Sequence, residues 1–157
     1  MANEIERKFL VVGNEWKGLA AGAPYRQGYL STVKERTVRV RTIGPRGMLT
    51  VKGLTRGVTR LEFEYDIPAA DANRMLDDLC ERPLIEKVRY TLDAGAITWQ
   101  IDEFTGENRG LVVAEVELSA ADQAFDRPPW LGDEVSSDPR YFNANLVRHP
   151  YRSWSRA

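Results

Sequence analysis

Charged and apolar residues alternate along most strand-like segments of this chain, and the charges within a segment mostly share a sign. Successive strand side chains point to opposite faces of a sheet. "TVRVRTI" therefore sets Arg39 and Arg41 on one face and Val38 and Val40 on the other. "IEKVRYTL" does the same with Lys87 and Arg89 against Val88 and Tyr90, and "VVAEVELS" with Glu115 and Glu117 against Ala114, Val116 and Leu118. "RLEFEYDI" sets Arg60, Glu62 and Glu64 against Leu61, Phe63 and Tyr65. Lys52 opposes Val51 and Leu49, and Asp102 opposes Ile101. The opening "EIERKFLVV" puts Glu4, Glu6 and Lys8 on one face.

Two arrangements satisfy this pattern. An ordinary barrel or sandwich keeps its apolar face inside and its charges in water. The inverse turns the charges inward and covers the apolar outer face with other elements. Like charges two residues apart on one face are mildly unfavourable, and a solvated surface mixes signs, so the clustering by sign weighs toward the inverse. The large residues on the apolar face could be covered by a helix, by the C-terminal helices and by a second subunit. The inward lining would then hold seven basic groups (Lys8, Arg39, Arg41, Lys52, Arg60, Lys87, Arg89) and seven acidic ones (Glu4, Glu6, Glu62, Glu64, Asp102, Glu115, Glu117). Without ligands such a set carries a heavy desolvation cost and pairs only in part. A hydrated tunnel, divalent cations and a polyanion together resolve it. Carboxylates suit Mg²⁺ or Mn²⁺, and arginines fork onto phosphate oxygens. Two divalent ions would give this lining four net positive charges, roughly balancing a triphosphate of about −4 to −5.

Strand character recurs near residues 3–12, 24–31, 35–43, 47–54, 59–67, 84–93, 96–104 and 110–119, separated by turn signals such as Gly44-Pro45 and Gly106-Glu107-Asn108. Met75, Leu76, Leu79 and Cys80 recur at helical spacing over 69–81. Eight strands with one inserted helix predict a mainly β (α+β) fold, a closed or nearly closed antiparallel barrel with flanking helices, and the inward charges would make its lumen a charged tunnel. After Ser119 the alternation fades, and the segment reads as a short helix, a loop and a second short helix near 139–147, a C-terminal helical tail. The whole chain, 1–157, is one domain's length. Its net charge of −1 gives no general attraction to DNA or membranes. The single cysteine, Cys80, excludes an internal disulfide framework and reads as a small core residue. No apolar run reaches membrane-spanning length and no signal-peptide pattern opens the chain, so a cytoplasmic location is expected.

Glu4-x-Glu6-x-Lys8 resembles the signature of the triphosphate tunnel metalloenzyme superfamily, the CYTH domain. "RQGYL" (26–30), "VRVR" (38–41), "LTVK" (49–52), "RLEFE" (60–64), "EKVRY" (86–90), "IDEF" (101–104) and "AEVEL" (114–118) follow in that family's order and approximate spacing. The ending "PPWLGDEVSSDPRYFNANL" is similar to its short bacterial members. The resemblance implies an eight-stranded tunnel that hydrolyses triphosphates with Mg²⁺ or Mn²⁺, two ions in the active complex. It implies metal ligands at Glu4, Glu6, Glu115 and Glu117, and a second ion and its water held or tuned by Glu62 and Glu64. Asp102 stands where the family has an acidic residue and is grouped with the metal ligands, its exact role unassigned. Phosphates would be clamped by Lys8, Arg39, Arg41, Lys52, Arg60, Lys87 and Arg89, with Lys8, Lys52 and Glu64 closest to the chemistry. The substrate expected is inorganic triphosphate, cleaved to diphosphate and phosphate. The alternatives are a nucleoside or thiamine triphosphatase, a class IV adenylyl cyclase, and a non-catalytic polyphosphate- or nucleotide-binding module. A homodimer is expected. Tyr141 and Asn143 could reach the tunnel from the tail or serve only as plug or packing. His149, the single histidine, matches no tunnel motif.

Overall fold

The structure, a computed structural model, describes residues 3–154. Eight strands form an antiparallel ring: β1 (Asn3–Val11), β2 (Gly22–Ser31), β3 (Arg36–Ile43), β4 (Arg46–Gly53), β5 (Thr59–Ile67), β6 (Ile85–Ala94), β7 (Ile97–Phe104) and β8 (Val112–Glu117). The order around the ring is β5-β4-β3-β2-β6-β7-β8-β1, and β1 closes back onto β5. Each strand lies within a few residues of its expected place. Hairpins join neighbours: the two-residue turn between Ile43 and Arg46 uses Gly44 at φ 56, a conformation that suits glycine.

The ring closes on one edge of β1 that is shared by two partners. Asn3, Glu4 and Ile5 pair with Leu61, Arg60 and Thr59 of β5. Farther along, Phe9 and Val11 pair with β9 (Leu131–Glu134), a strand the sequence pattern did not predict. Between the two, the Lys8 N–H donates to Ser136 Oγ at 2.9 Å, and the Val135 N–H donates to the Lys8 carbonyl at 2.8 Å. The expected short helix after Ser119 is absent. Residues 119–130 run as irregular chain and pack Phe125 and Trp130 onto the outer face of the barrel.

Three apolar clusters support the barrel. Outside, Phe9, Trp16, Trp99, Ile101, Val116 and Trp130 pack together, with Phe9 and Trp130 set edge-on to Trp99. The helix α1 (Ala69–Asp78) places Ala72 and Leu76 over Val40. It ends three residues earlier than its apolar spacing suggested. The chain after it passes so close to β2 that a Cβ on Gly28 would lie 2.8 Å from Cys80 Cβ, so glycine is required there. The third cluster joins Tyr29, Ile85, Phe104, Leu111 and Val113 to Leu146 and Val147 of α2 (Asn143–Arg148). By the two-residue period, Tyr29, Ile85, Phe104 and Val113 share the inward face of their strands with Gln27, Lys87, Asp102 and Glu115. The lumen is thus charged over most of its length and apolar where α2 seals it.

The outer covering is incomplete. On β5, Leu61, Phe63 and Tyr65 remain 51%, 42% and 57% exposed. No helix among the described residues is long and apolar enough to cross a membrane.

Candidate active site

Inside the ring lies a cavity of about 350 Å³. All seven basic residues singled out from the sequence line it: Lys8, Arg39, Arg41, Lys52, Arg60, Lys87 and Arg89. They come from β1, β3, β4, β5 and β6, so the cations face one another across the lumen. Glu4, Glu6 and Glu115 line it with them, as do Thr32, Lys34 and Thr37 and, from the tail, Ser136, Phe142 and Asn143.

The remaining carboxylates lie elsewhere, because strand tilt spreads one inward face along the barrel axis. Glu62 reaches the group through Lys52, at 3.0 Å. Glu64 is more exposed, accepts a hydrogen bond from Thr50 Oγ1 at 2.9 Å and faces Arg39 at 3.5 Å. Glu117 stands across from Glu6 in the β1–β8 register, near enough to Glu4, Lys52 and Glu64 to feel their charges, and also borders a second depression with Gln100 and Ser119. Asp102 is fully buried in the wall, with Oδ2 2.7 Å from Lys87 Nζ. It also accepts two hydrogen bonds from Arg89, from Nε at 2.7 Å and from Nη2 at 2.8 Å. Both Asp102 oxygens are committed to cations, which departs from its expected grouping with metal ligands.

Two halves of the site differ in charge. On the β3 and β6 side, Arg41, Lys87 and Arg89 share one carboxylate, Asp102. The Tyr25 ring sits 4.8 Å from both the Arg41 and Arg89 guanidinium carbons. Gln27 Oε1 accepts from Arg41 Nε at 2.8 Å. Burial, with the charges of Arg39 and Arg89, lowers Arg41 to about 9. Burial also brings Lys87 down to about 7, against the pull of Asp102. Both shifts come first from burial, whereas Arg89, despite its burial, is held up by Asp102 and Glu115.

On the β1 and β8 side the carboxylates dominate. Burial and the charges of Glu115 and Glu4 raise Glu6 to about 8. The upward shift favours the protonated form of Glu6, which shares a hydrogen bond with Glu115. Burial acts against ionisation of Glu115 as well, but Lys8, Arg89 and Lys87 hold it well below the usual carboxylate range. Burial likewise opposes the charge on Glu4, yet Lys52, a hydrogen bond with Glu62, and Arg60 bring it down to about 2. Lys52 lies 3.2 Å from Glu4, and Lys8 lies 3.4 Å from Glu115.

These pairs bear on metal binding. Among the described residues, no three carboxylate, histidine or cysteine side chains form a ready-made metal cage. Mg²⁺ does not need one, since it is held by one or two carboxylates together with water and substrate phosphates. Two buried carboxylates that share a hydrogen bond form a donor set that a divalent ion fits, because the ion can replace the shared proton.

Several residues at the site were not singled out from the sequence. Tyr25, Gln27 and Tyr29 share the inward face of β2, and that face carries no charge to follow. Tyr141 and Asn143, named from the sequence as residues that could reach the tunnel, come from the tail: Asn143 lines the cavity, and the Tyr141 carbonyl accepts from Lys8 Nζ at 3.0 Å. His149 lies outside the cavity lining, its ring near Trp154.

A closed antiparallel barrel with opposed arginines, lysines and paired carboxylates in its lumen defines a tunnel-type polyanion-binding protein. The sequence matches the CYTH domain over residues 2–151, and the chain belongs to that family. It is 51% identical to an inorganic triphosphatase of Acetivibrio thermocellus, over 98% of this chain and 99% of that protein. It is 38% identical to an inorganic triphosphatase of Nitrosomonas europaea, over 92% and 96% respectively. A crystal structure of an inorganic triphosphatase, 33% identical, superposes with a TM-score of 0.66 over 91% of this chain and 96% of that one. A Pyrococcus horikoshii protein at 18% identity (TM-score 0.54, covering 75% of this chain and 80% of that one) shares the fold.

Proposed function

We propose that this chain hydrolyses inorganic triphosphate to diphosphate and phosphate inside its tunnel. The observation that carries the reading is the convergence of seven basic side chains from five strands on one cavity. Two relatives that match nearly the whole chain bear the name inorganic triphosphatase, which supports the same substrate. Opposed cations suit a linear polyanion, because each phosphate can meet a positive group on more than one side. Catalysis of phosphoryl transfer is largely positioning and charge stabilisation. Arg39, Arg41 and Arg89 would fork onto phosphate oxygens, while Lys8, Lys52, Arg60 and Lys87 neutralise charge that shifts toward the leaving diphosphate. Water attacks the terminal phosphorus, the bond to the bridging oxygen breaks, and the electron pair leaves with diphosphate.

Glu6 with Glu115, and Glu4 with Glu62, are the pairs that would hold Mg²⁺ or Mn²⁺. When bound, such ions neutralise phosphate oxygens and lower the pKa of bound water. Glu117, the cross-strand partner of Glu6, borders these pairs, while Glu64 is engaged by Thr50 and Arg39; their expected metal roles rest on the family resemblance. Asp102 is read instead as a fixed counter-charge for Lys87 and Arg89. The exposed Leu61, Phe63 and Tyr65 support the expected homodimer, which sedimentation would test.

Phosphate release from inorganic triphosphate, measured with and without Mg²⁺, tests the reading. Metal-dependent release with diphosphate as co-product is expected. No release, or cyclic nucleotide formed from ATP, would overturn it.

A further inference from the structure

Asn143 opens α2 without capping it: the N-cap position is Phe142, and no side-chain cap bond is made there. Its Oδ1 instead accepts from two buried donors on different strands, Gln27 Nε2 at 3.1 Å and Lys87 Nζ at 3.1 Å. Gln27, fully buried, accepts in turn from Arg41 Nε at 2.8 Å. The orientation of both amides follows from their neighbours. An arginine Nε and an ammonium only donate, so Gln27 presents its oxygen to Arg41 and Asn143 presents its oxygen to Lys87. Asn143 Nδ2 is what remains. Among the described residues nothing accepts from it, and Asn143 lines the cavity.

Asn143 is only partly buried, so this donor is left for whatever fills the cavity. Its chemistry also suits an anion site. A neutral oxygen restrains Lys87 without cancelling its charge, which Asp102 at 2.7 Å already offsets in part. A carboxylate at the same place would add negative charge where phosphates must sit.

We propose that Asn143 binds and positions the triphosphate: Oδ1 ties the Lys87 ammonium and, through Gln27, the Arg41 guanidinium, while Nδ2 donates to a phosphate oxygen. The inference rests on the triphosphate reading and adds a neutral residue, brought by the C-terminal segment, to the cationic grip. Docking of that segment then becomes a condition for the arrangement of two tunnel cations.

The test is calorimetric binding of inorganic triphosphate in excess chelator, followed by steady-state kinetics with Mg²⁺. Asn143→Asp keeps acceptors for Lys87 and Gln27 but loses the donor and adds a charge. Asn143→Ala loses both donor and acceptor. With unfolding temperatures recorded alongside, the Asp variant is expected to bind at least about tenfold more weakly and the Ala variant several-fold more weakly. The loss should appear in KM more than in kcat. Wild-type affinity in Asn143→Asp would overturn the inference, since a purely structural amide is replaced there without loss of its two bonds. A wild-type protein that does not bind triphosphate overturns the inference together with the polyanion reading. Triphosphate binding without phosphate release removes only the triphosphatase reading, and the comparison of variants still decides the role of Asn143.

Discussion

Asp102 grips the Arg89 guanidinium at two points, 2.7 and 2.8 Å, while one of its oxygens also faces Lys87 at 2.7 Å. Burial opposes its charge, but Lys87 and Arg89 lower its pKa below the ordinary 3.8. Removing one member of a buried ion network leaves the others uncompensated. Asp102→Asn is expected to destabilise the metal-free protein by about 3–5 kcal/mol at neutral pH. An acid with a depressed folded pKa stabilises the fold above its unfolded value and loses that contribution as pH falls through the folded value. The gap between variant and wild type should therefore shrink below about pH 3.8. Denaturant unfolding in chelator measures it. A variant as stable as wild type at pH 7 would return Asp102 to the metal ligands.

Glu6 gives the opposite pH dependence. Its folded pKa is raised to about 8 by burial and by Glu115 and Glu4. Stability from such a group is complete below the unfolded value near 4.5 and is lost as pH rises through 8. Glu6→Gln imitates the protonated form. In chelator it should be close to wild type near pH 5 and exceed it near pH 9, by several kcal/mol. Added Mg²⁺ should stabilise wild type more than the variant. Thermal unfolding at the two pH values checks this, and an equal gap at both would contradict the shared proton.

Much of the barrel was legible because every ring strand had to alternate. A strand with one face toward a charged lumen and one toward an apolar covering declares both, and Arg39/Arg41, Lys87/Arg89 and Glu4/Glu6 do so without help from elsewhere. What could not be read depends on contacts between distant segments. β9 is four residues long and exists because an edge of β1 needs partners. Residues 119–130 hold Phe125 and Trp130 with no periodicity, since they fill gaps over Phe9 and Trp99 rather than present a face. The apolar end of the lumen was hidden for a related reason. Ile85, Phe104 and Val113 continue charged faces, and only the docking of Leu146 shows that the lumen changes character there. Within the site, sign clustering identified the basic lining. It could not say which carboxylates sit together, because that depends on strand tilt and register.

Substrate preference follows from the lining. The seven cations address phosphates. Phe63 and Tyr65, two of the large aromatics, face outward as their alternation indicated. Tyr29 and Phe142 do line the cavity, but Tyr29 is held in the apolar seal. Inorganic triphosphate should thus gather most of the binding energy, and a nucleoside should add little. The expected kcat/KM for inorganic triphosphate exceeds that for ATP by at least about tenfold, or ~1.4 kcal/mol. Pyrophosphate, which spans fewer cations, should be a poor substrate. Steady-state kinetics at saturating Mg²⁺ gives the comparison, and equal values would favour a nucleoside triphosphatase.

Leu146 links the stability of the tail to the site. It is fully buried against the apolar end of the lumen, one turn along α2 from Asn143. A six-residue helix has little stability of its own, so packing must hold α2 in place. Leu146→Ala should cost about 2–4 kcal/mol, the usual range for emptying a core position of this kind. Part of the loss should be local, because the tail can separate before the ring opens. In solution conditions where the barrel stays folded, the variant should show faster proteolysis within residues 136–150 and a several-fold higher KM for triphosphate. The two changes should appear together, since the tail carries Asn143 and the Tyr141 carbonyl that hold Lys87 and Lys8. Limited proteolysis and KM measured on one preparation decide the matter. A lowered unfolding temperature with unchanged KM and an intact tail would mean that α2 seals the barrel without setting the geometry of its cations.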